Sequence, residues 1–264
     1  LFSYYFMDIY TYILILIFIF YFNYNKYYLM NKFNSVCIIP ARGGSKRIKN
    51  KNIKKFFNRP IISYSIMAAK KSKCFDKIIV STDSLKIAKI AKKYGAEVPF
   101  LRDKKFATDK VGLRAAIKNT LNKIIKYIGK PKYVCYITAT APLIRVSDIQ
   151  EGFKNVKKKN VKISCAITEF DYPIQRALKI NKVGRIEMLN PKHRFSHSQN
   201  LKKCYHDAGQ FYWAKTSAII NNVHTFGNSS FPILIPNYRV VDIDDMSDWE
   251  RAKITYKYLK KNSV

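Results

Sequence analysis

Apolar and polar positions alternate in blocks along most of the chain, and the blocks have two lengths. Short apolar runs, typical of buried strands, lie at residues 35–40, 77–81, 132–138 and 162–168. Longer stretches with apolar residues at helical spacing lie between them, at residues 60–72, 85–94, 112–129 and 147–156. Strands that alternate with helices of this length require crossover connections. The pattern therefore predicts an α/β domain whose mostly parallel sheet is flanked by helices.

The alternation fails between about residues 169 and 210, where prolines and the turn sequence "NKVG" predict hairpins that leave the sheet. It resumes with predicted strands at residues 210–214 and 233–244. A C-terminal helix is predicted from residue 248 onward. The chain is thus expected to form one α/β domain with a small excursion.

The N-terminal part of the chain is a separate problem. Residues 9–22 are apolar but fall short of the ~20 residues that cross a bilayer comfortably. They also lack the basic start and the cleavage site of a signal peptide. We favour residues 1–29 as sequence upstream of a natural start at Met30, with a membrane anchor as the alternative. Residues 30–264 are then the folded domain, which is cytoplasmic in both cases, and a membrane is a partner only if residues 1–29 are genuine.

The chain is strongly basic, with 49 Lys and Arg against 17 Asp and Glu and a formal charge of +32. This balance invites a nucleic-acid interpretation, but the lysines are spread over the whole sequence rather than concentrated in a stripe. No nucleic-acid partner is therefore expected, whereas an anionic small-molecule substrate is electrostatically favoured. The five cysteines show no CxxC spacing and predict free core thiols rather than disulfides or a zinc site.

The first predicted strand runs into a loop, "ARGGSKRIKNKN" at residues 41–52, that combines flexibility with positive charge. In an open parallel sheet, ligands bind at the carboxyl ends of the strands. Gly43 and Gly44 let the backbone turn tightly and present N–H groups. The sequence contains neither a Walker A motif nor a dinucleotide fingerprint. The loop nonetheless predicts a polyphosphate site, in which the neutralising cations are Arg42, Lys46, Arg47 and Lys51.

A second chemical signal is the sequence "DIDD" near the C-terminus. In a strand, Asp242 and Asp244 would project from one face while Ile243 points into a core. Two hard carboxylates on one face suit Mg2+, which completes its octahedron with water and phosphate. The alternative is a polar strand end that leads into the next helix, with Asp245 or Ser247 as the helix cap.

Several segments in combination resemble one family. They are "IIPARGGSKRI" with "KN" at 51–52, "VSTD", "YGAEVPFLR", "TATAPL", "PIQRALKI", "YHDAGQFYW" and "VVDIDDMSDWERA". The chain is similar, over about residues 35–258, to the cytidylyltransferases that activate nonulosonic acids, relatives of the CMP-N-acylneuraminate synthetases. The resemblance implies a nucleotide-diphosphosugar transferase-like, Rossmann-like fold. It also implies a Mg2+-dependent enzyme that joins CTP to an acidic nine-carbon sugar for surface glycan biosynthesis, and a homodimer in which the excursion makes the contact.

The same resemblance implies roles for individual residues. The catalytic residues are Arg42, Lys46 and Lys51, with Lys51 nearest the reacting phosphate. The nucleotide-binding residues are Ala41, Arg42, Gly43, Gly44, Lys46, Lys51, Asn52, Asp83, Arg102 and Asp109. The sugar-binding residues are Thr138, Gln175, Arg176, His206, Asp207 and Gln210, and the metal ligands are Asp242 and Asp244. Asp83 could instead cap its helix, and His206 could be a structural histidine.

Departures from the family pattern bear on the substrate. Thr138 stands where neuraminate synthetases usually have Gln, which favours pseudaminic acid as the acceptor of CMP. Val111 and Leu113 stand where relatives often have hydroxyl residues, so hydrogen bonds to the base from those positions are lost. Alternative acceptors are an N-acylneuraminate, legionaminate or a deoxyoctulosonate. The alternative from another class is a membrane-anchored, basic nucleic-acid-binding protein.

Overall fold

The computed structural model describes residues 9–20 and 33–262. The strands are β1 (Ser35–Pro40), β2 (Lys55–Phe56), β3 (Arg59–Pro60), β4 (Lys77–Ser81), β5 (Tyr133–Ile137), β6 (Ile163–Glu169), β7 (Leu178–Ile180), β8 (Ile186–Met188), β9 (Tyr205–Lys215) and β10 (Ser230–Leu234). The helices are α1 (residues 9–20), α2 (Ile62–Ser72), α3 (Leu85–Lys93), α4 (Leu113–Tyr127), α5 (Val146–Val156), α6 (Thr216–Ile220) and α7 (Met246–Lys261).

The central sheet has six strands in the order β10-β6-β9-β5-β1-β4. Strand β1 pairs in parallel with β4 and β5, and β10 pairs in parallel with β6. Strand β9 is inserted antiparallel between β5 and β6. The predicted α/β class with a mostly parallel sheet is therefore confirmed.

Side chains that alternate along the strands pack into two separate hydrophobic cores, one on each face of the sheet. Cys37 and Ile39 of β1 pack on the face covered by α2, α3 and α5, whereas Val36 and Ile38 pack on the face covered by α4 and α6. A third core lies beyond the sheet, where Trp249 of α7 packs against Phe56. This third core fixes the C-terminal part of the chain against the region that follows the basic loop.

The predicted strand at residues 233–244 is wrong in its second half. The sheet strand ends at Leu234, and Pro236 leads into a 3-10 turn at Asn237–Arg239 that takes the chain away from the sheet. Residues 240–244 then run without ladder pairing, although Val241 and Ile243 are still buried. The in-and-out alternation therefore comes from packing against the third core rather than from a sheet.

Other boundaries differ by a few residues. Helix α2 begins at Ile62 rather than residue 60, because Pro60 pairs with Lys55 in the β2–β3 hairpin. Strand β9 begins at residue 205, inside the predicted excursion. Asp245 caps α7, as one of the two predicted candidates, and a reciprocal hydrogen bond from the Asp245 N–H to the Asp248 carboxylate completes a capping box.

The excursion contains the antiparallel hairpin of β7 and β8, which confirms the predicted hairpin. The five cysteines are free, and three of them are buried. In the predicted N-terminal segment, residues 1–8 and 21–29 lie outside the described residues, and residues 9–20 are helical. Within the described ranges, the helices fall short of the length and apolar character needed to cross a membrane.

Candidate active site

The basic loop leaves the carboxyl end of β1 and is fixed at its first residues by the neighbouring strand. The N–H of Ala41 donates to the carbonyl of Ser81 at 2.9 Å, and the N–H of Gly43 donates to Asp83 at 2.8 Å. A Cβ at Gly43 would lie 3.2 Å from the Cβ of Ser84, whereas Gly44 has open space around it. A side chain is therefore sterically restricted only at the first of the two glycines, and the Gly43 N–H is already used inside the protein.

The far end of the loop is fixed by a buried amide. The side chain of Asn52 donates to the carbonyl of Arg42 at 2.9 Å, which ties the two ends of the loop together. Asn50 adopts a left-handed conformation (φ 56°), from which a short 3-10 turn at Lys51–Ile53 begins. These constraints hold Lys51 with only 21% of its side chain exposed.

The loop borders a cleft of about 590 Å3 at the carboxyl ends of the central strands. The cleft is lined by Pro40, Arg42, Ser45, Lys46, Arg47, Ile48, Lys51, Asn52, Arg102, Phe106, Thr108, Asp109, Val111, Leu113, Ala116, Thr138, Ala139, Thr140 and Asp244. Eight predicted site residues from four separate regions of the sequence thus meet around one space, namely Arg42, Lys46, Lys51, Asn52, Arg102, Asp109, Thr138 and Asp244.

One wall of the cleft carries paired charges from the loop and from the segment before α4. Asp109 forms an ion pair with Arg42 through one carboxylate oxygen and with Lys46, at 2.6 Å, through the other. Hydrogen bonds from Lys46 and Arg42 lower the pKa of the Asp109 carboxyl. Asp109, which was predicted as a nucleotide-binding residue, therefore lies at the loop cations.

The segment before α7 also lines the cleft, through Asp244. Asp244 pairs with Arg47 at 2.8 Å and with Lys51 at 3.5 Å. Lys51 also donates to the carbonyl of Ile243 at 2.6 Å. The N–H of Asp244 donates to Asp248 at 2.9 Å, so the capping box of α7 helps to hold this carboxylate in place. The loop and the "DIDD" segment are consequently one assembly.

Asp242 lies beside this assembly. A Cβ at Gly209 would lie 3.9 Å from the carboxyl carbon of Asp242, which places the aspartate against β9. Partial burial, followed by the neighbouring Asp244 carboxylate, raises the pKa of Asp242. Two mutually repelling carboxylates at the edge of a cleft fit a hard divalent cation. No group of three or more His, Cys, Asp or Glu in the described ranges is arranged to hold a metal, so solvent or a ligand would have to supply the remaining donors.

Arg102 lines the cleft and is only 7% exposed. Its guanidinium donates to the side chain of Ser81 at 3.0 Å and to the Ser81 carbonyl at 2.5 Å. Burial lowers the pKa of Arg102, and the nearby Asp83 acts in the opposite direction. The guanidinium is therefore held rigidly against the sheet, with one side toward the cleft.

The predicted sugar-binding residues are less closely grouped. Thr138 lines the cleft and donates its hydroxyl to the carbonyl of Gly209 at 2.9 Å. Gln210 is buried and donates to the carbonyl of Arg239 at 2.8 Å. Both carboxylate oxygens of Asp207 are engaged within β9, by the N–H of Gly209 at 2.9 Å and by the hydroxyl of Tyr212 at 2.5 Å.

The remaining predicted residues lie outside the lining of the cleft. Gln175 and Arg176 are in a 3-10 turn of the excursion, where Gln175 donates to the carbonyl of Lys202 at 2.8 Å. His206 is exposed and packs against Phe170, with ring centroids 4.7 Å apart. The Asp83 carboxylate accepts a hydrogen bond from the N–H of Gly43, while Ser84 caps α3.

Sequence reasoning left three polar residues of the lining without a site role. Ser45 lies in the basic loop, Thr108 precedes Asp109, and Thr140 belongs to the segment "TATAPL". Arg47 was named among the loop cations but was not assigned to the site, although it forms the shorter of the two ion pairs with Asp244. Position next to a predicted site residue was the available signal in each case.

A cleft at the carboxyl ends of the strands, lined by a cationic loop and by Asp244, is typical of the ligand sites of open α/β sheets. A family model described as cytidylyltransferase matches residues 36–243. The chain is 42% identical over 223 residues to pseudaminic acid cytidylyltransferase of Campylobacter jejuni subsp. jejuni serotype O:23/36 (strain 81-176), covering 84% of this chain and 96% of that relative. It is 30% identical over 219 residues to N-acylneuraminate cytidylyltransferase of Escherichia coli O18:K1:H7 (strain RS218 / NMEC), covering 82% of this chain and 51% of that relative.

Among solved structures, the fold is similar to that of CMP:2-keto-3-deoxy-manno-octonic acid synthetase complexed with CTP. The TM-score is 0.65 at 11% identity, with 86% of this chain and 99% of that chain covered, so this likeness concerns the fold alone. The chain belongs to the cytidylyltransferase family. The resemblance and the fold expected from the sequence motifs are thereby confirmed.

Proposed function

We propose that this protein transfers CMP from CTP to the anomeric hydroxyl of pseudaminic acid and releases diphosphate. The observation that carries this proposal is the 42% identity to a pseudaminic acid cytidylyltransferase, which extends over 96% of that relative. The product would be an activated sugar for surface glycan biosynthesis. Because CTP is a cytoplasmic substrate, we place the reaction in the cytoplasm.

The cleft supports this chemistry through fixed positive charge. Attack of the sugar hydroxyl forms a bond to the α-phosphorus of CTP and breaks the bond between the α- and β-phosphates. Arg42, Lys46 and Lys51 line one cleft and would bind the phosphate oxygens as negative charge moves toward the leaving diphosphate. Lys51 is held by the Ile243 carbonyl, so its charge requires little reorganisation during the reaction.

A magnesium ion is part of the proposal, and Asp242 and Asp244 are the residues that would hold it. When bound, Mg2+ would screen the triphosphate and stabilise the leaving diphosphate. Independently of the ion, Lys51 and Arg47 bind Asp244 and fix its carboxylate beside the phosphate-binding loop.

At the acceptor end, Thr138 supports a choice among related sugars. The Thr138 hydroxyl donates to the carbonyl of Gly209, so a compact side chain lines the cleft at this position. A glutamine would place a longer amide there. An N-acylneuraminate, legionaminate or deoxyoctulosonate remains the alternative acceptor. We also propose that His206, Asp207 and Gln210 of β9 and the excursion residues Gln175 and Arg176 contribute to this end, either directly or by shaping it.

A homodimer is the proposed assembly, and the excursion is its proposed contact. Large apolar side chains are uncovered there, with Leu178, Ile180, Val183, Ile186 and Leu189 each 60–76% exposed. An apolar face of this extent on a hairpin indicates a protein partner, and a second copy supplies the matching surface. Closure of the acceptor end by this contact would explain why its residues lie apart in one chain.

The proposed activity is tested by incubating the protein with CTP, Mg2+ and a panel of nonulosonates, with diphosphate and CMP-sugar measured by mass spectrometry. Turnover is expected with CTP and pseudaminic acid, and replacement of CTP by ATP or UTP serves as the control. Preference for another sugar would move the protein to that branch of the family. Tight, steeply salt-dependent DNA binding without turnover of CTP would instead favour the nucleic-acid alternative.

A further inference from the structure

Two of the three cations assigned to the phosphates share a single carboxylate, that of Asp109. Asp109 pairs with Arg42 through Oδ1 and with Lys46 through Oδ2, the latter at 2.6 Å. All three residues line the cleft. The carboxylate therefore lies where these cations would meet a negatively charged ligand.

In this arrangement the Asp109 carboxylate and a bound phosphate would compete for the same cationic groups. A carboxylate and a phosphate accept hydrogen bonds from the same guanidinium and ammonium groups with similar geometry. Asp109 uses both of its oxygens on the two cations, so a phosphate can take the same donors only by displacing or sharing them. The side chains are 34%, 81% and 38% exposed for Arg42, Lys46 and Asp109, so water can enter and such an exchange is possible without unfolding the core.

We propose that the Asp109 carboxylate competes with phosphate groups for Arg42 and Lys46, and so weakens the binding of every anion that uses these two cations. It keeps the two cations in place in the absence of nucleotide and disfavours anions that are too weakly charged to displace it. A triphosphate retains enough further contacts to displace the carboxylate, whereas diphosphate, after cleavage, retains fewer. Asp109 thus favours the release of diphosphate. This inference rests on the proposed function of the cleft as a triphosphate site.

A direct ligand role for Asp109 makes the opposite prediction. If the carboxylate contacted the nucleotide or a metal favourably, its removal would weaken nucleotide binding. If the cleft is sensitive only to total charge, removal of any nearby carboxylate would tighten anion binding equally. The sign of the effect and its dependence on position therefore distinguish the three possibilities.

The test compares Asp109→Asn with Asp103→Asn. Asp103 is in the same segment, pairs with Lys123 at 2.6 Å outside the cleft lining, and has a similar exposure of 44% against 38%. Binding of inorganic diphosphate and of inorganic triphosphate is measured by calorimetry in the absence of metal. For Asp109→Asn we expect both to bind about threefold to tenfold more tightly, because each half-exposed ion pair contributes modestly. Asp103→Asn is expected to change either affinity less than twofold.

Steady-state kinetics supply a second readout. Diphosphate should inhibit Asp109→Asn at correspondingly lower concentration than it inhibits the unaltered protein. Weaker or unchanged diphosphate binding by Asp109→Asn, or equal tightening by Asp103→Asn, would overturn the proposal. Turnover of CTP by the unaltered protein separates these outcomes from failure of the proposed function, in which neither turnover nor binding of triphosphate would be seen.

Discussion

The basic loop at residues 41–52 and the excursion, which the structure bounds at residues 170–204 between β6 and β9, differ in how their side chains are paired or covered. In the loop, Asn52 is buried and Arg42, Lys46, Arg47 and Lys51 have partners within the same chain. In the excursion, every residue of β7 and most of β8 are exposed although they are largely apolar. The charged groups of the loop are thus already paired within the chain, whereas the apolar face of the excursion is uncovered and requires a partner.

This difference shows which functional sites can be recognised from the structure of a single chain. A charged loop is recognised by the groups that converge on it, and their distances can be read directly. An apolar hairpin is recognised by the exposure of its apolar side chains, and the surface that covers them must come from a second molecule. Substitutions in the two regions should consequently change different measurements.

The largest expected effect on stability is that of breaking the buried ion pair between Asp148 of α5 and Arg239. Two hydrogen bonds, of 2.8 Å and 3.3 Å, join these groups, and Arg239 is 3% exposed. Asp148→Ala would leave the guanidinium buried without its counter-charge, so the free energy of unfolding should fall by about 3–5 kcal/mol.

The matched control for this substitution is Glu187→Ala in the excursion. It removes a carboxylate that pairs with Lys179 at 2.9 Å, with about half of each side chain exposed. An exposed pair of this kind contributes at most ~1 kcal/mol. Urea unfolding of both variants measures the contrast, and equal losses would mean that burial does not decide how much these two ion pairs contribute to stability.

The largest expected effect on turnover is that of Lys51→Ala. The ammonium group lines the cleft and is linked to the "DIDD" segment, so its loss removes fixed positive charge from the developing diphosphate. Turnover should fall on the order of a hundredfold or more while the fold is retained. Lys49→Ala, at an exposed position of the same loop, is the control with the same change of charge. Normal turnover of Lys51→Ala would show that the loop only displays charge to solvent.

Much of the fold could be predicted because strand and helix periodicities are local properties. The parallel strands and the helices between them follow from runs of apolar residues that pack on the two faces of the sheet. The failure at residues 233–244 has a local cause as well, since Pro236 interrupts the run and the later alternation fits a separate core around Trp249. Periodicity indicates which side chains are buried, but it does not indicate what they are buried against.

The candidate site was predictable to the extent that it lies in contiguous motifs. The basic loop and Asp244 do meet across one cleft. The pairing of Asp109 with the loop cations depends on how the segment before α4 packs, and no spacing in the sequence records it. The position of Gln175 outside the cleft lining depends on the excursion, whose packing in an assembly is not a property of one chain.

Asp244→Asn should have a smaller effect than Lys51→Ala and a different signature. The amide keeps the shape of the side chain but removes a hard anionic ligand, so the Mg2+ concentration for half-maximal rate should rise. Its ion pairs with Arg47 and Lys51 are weakened at the same time. Because Lys51 and Asp244 are in contact, the double variant should lose much less than the product of the single losses. Multiplicative losses would place the two residues in independent roles, and Glu250→Gln on the exposed face of α7 controls for the change of charge.

The last and smallest expected effect concerns self-association through the excursion. Ile180 is 75% exposed on β7, and Ile254 is 70% exposed on α7. Ile180→Asp would bring a charge into the proposed contact of both copies, whereas Ile254→Asp makes the same chemical change at a surface that the proposal does not use. We expect the dissociation constant of the dimer to rise about tenfold for Ile180→Asp. No change is expected for Ile254→Asp, and the unfolding free energy of either variant should change by less than about 0.5 kcal/mol because both side chains are already in water. Sedimentation at several protein concentrations measures the association directly. A monomer in the unaltered protein, or equal weakening by both variants, would mean that the uncovered face of the excursion has another occupant and that its contrast with the loop is not one of assembly.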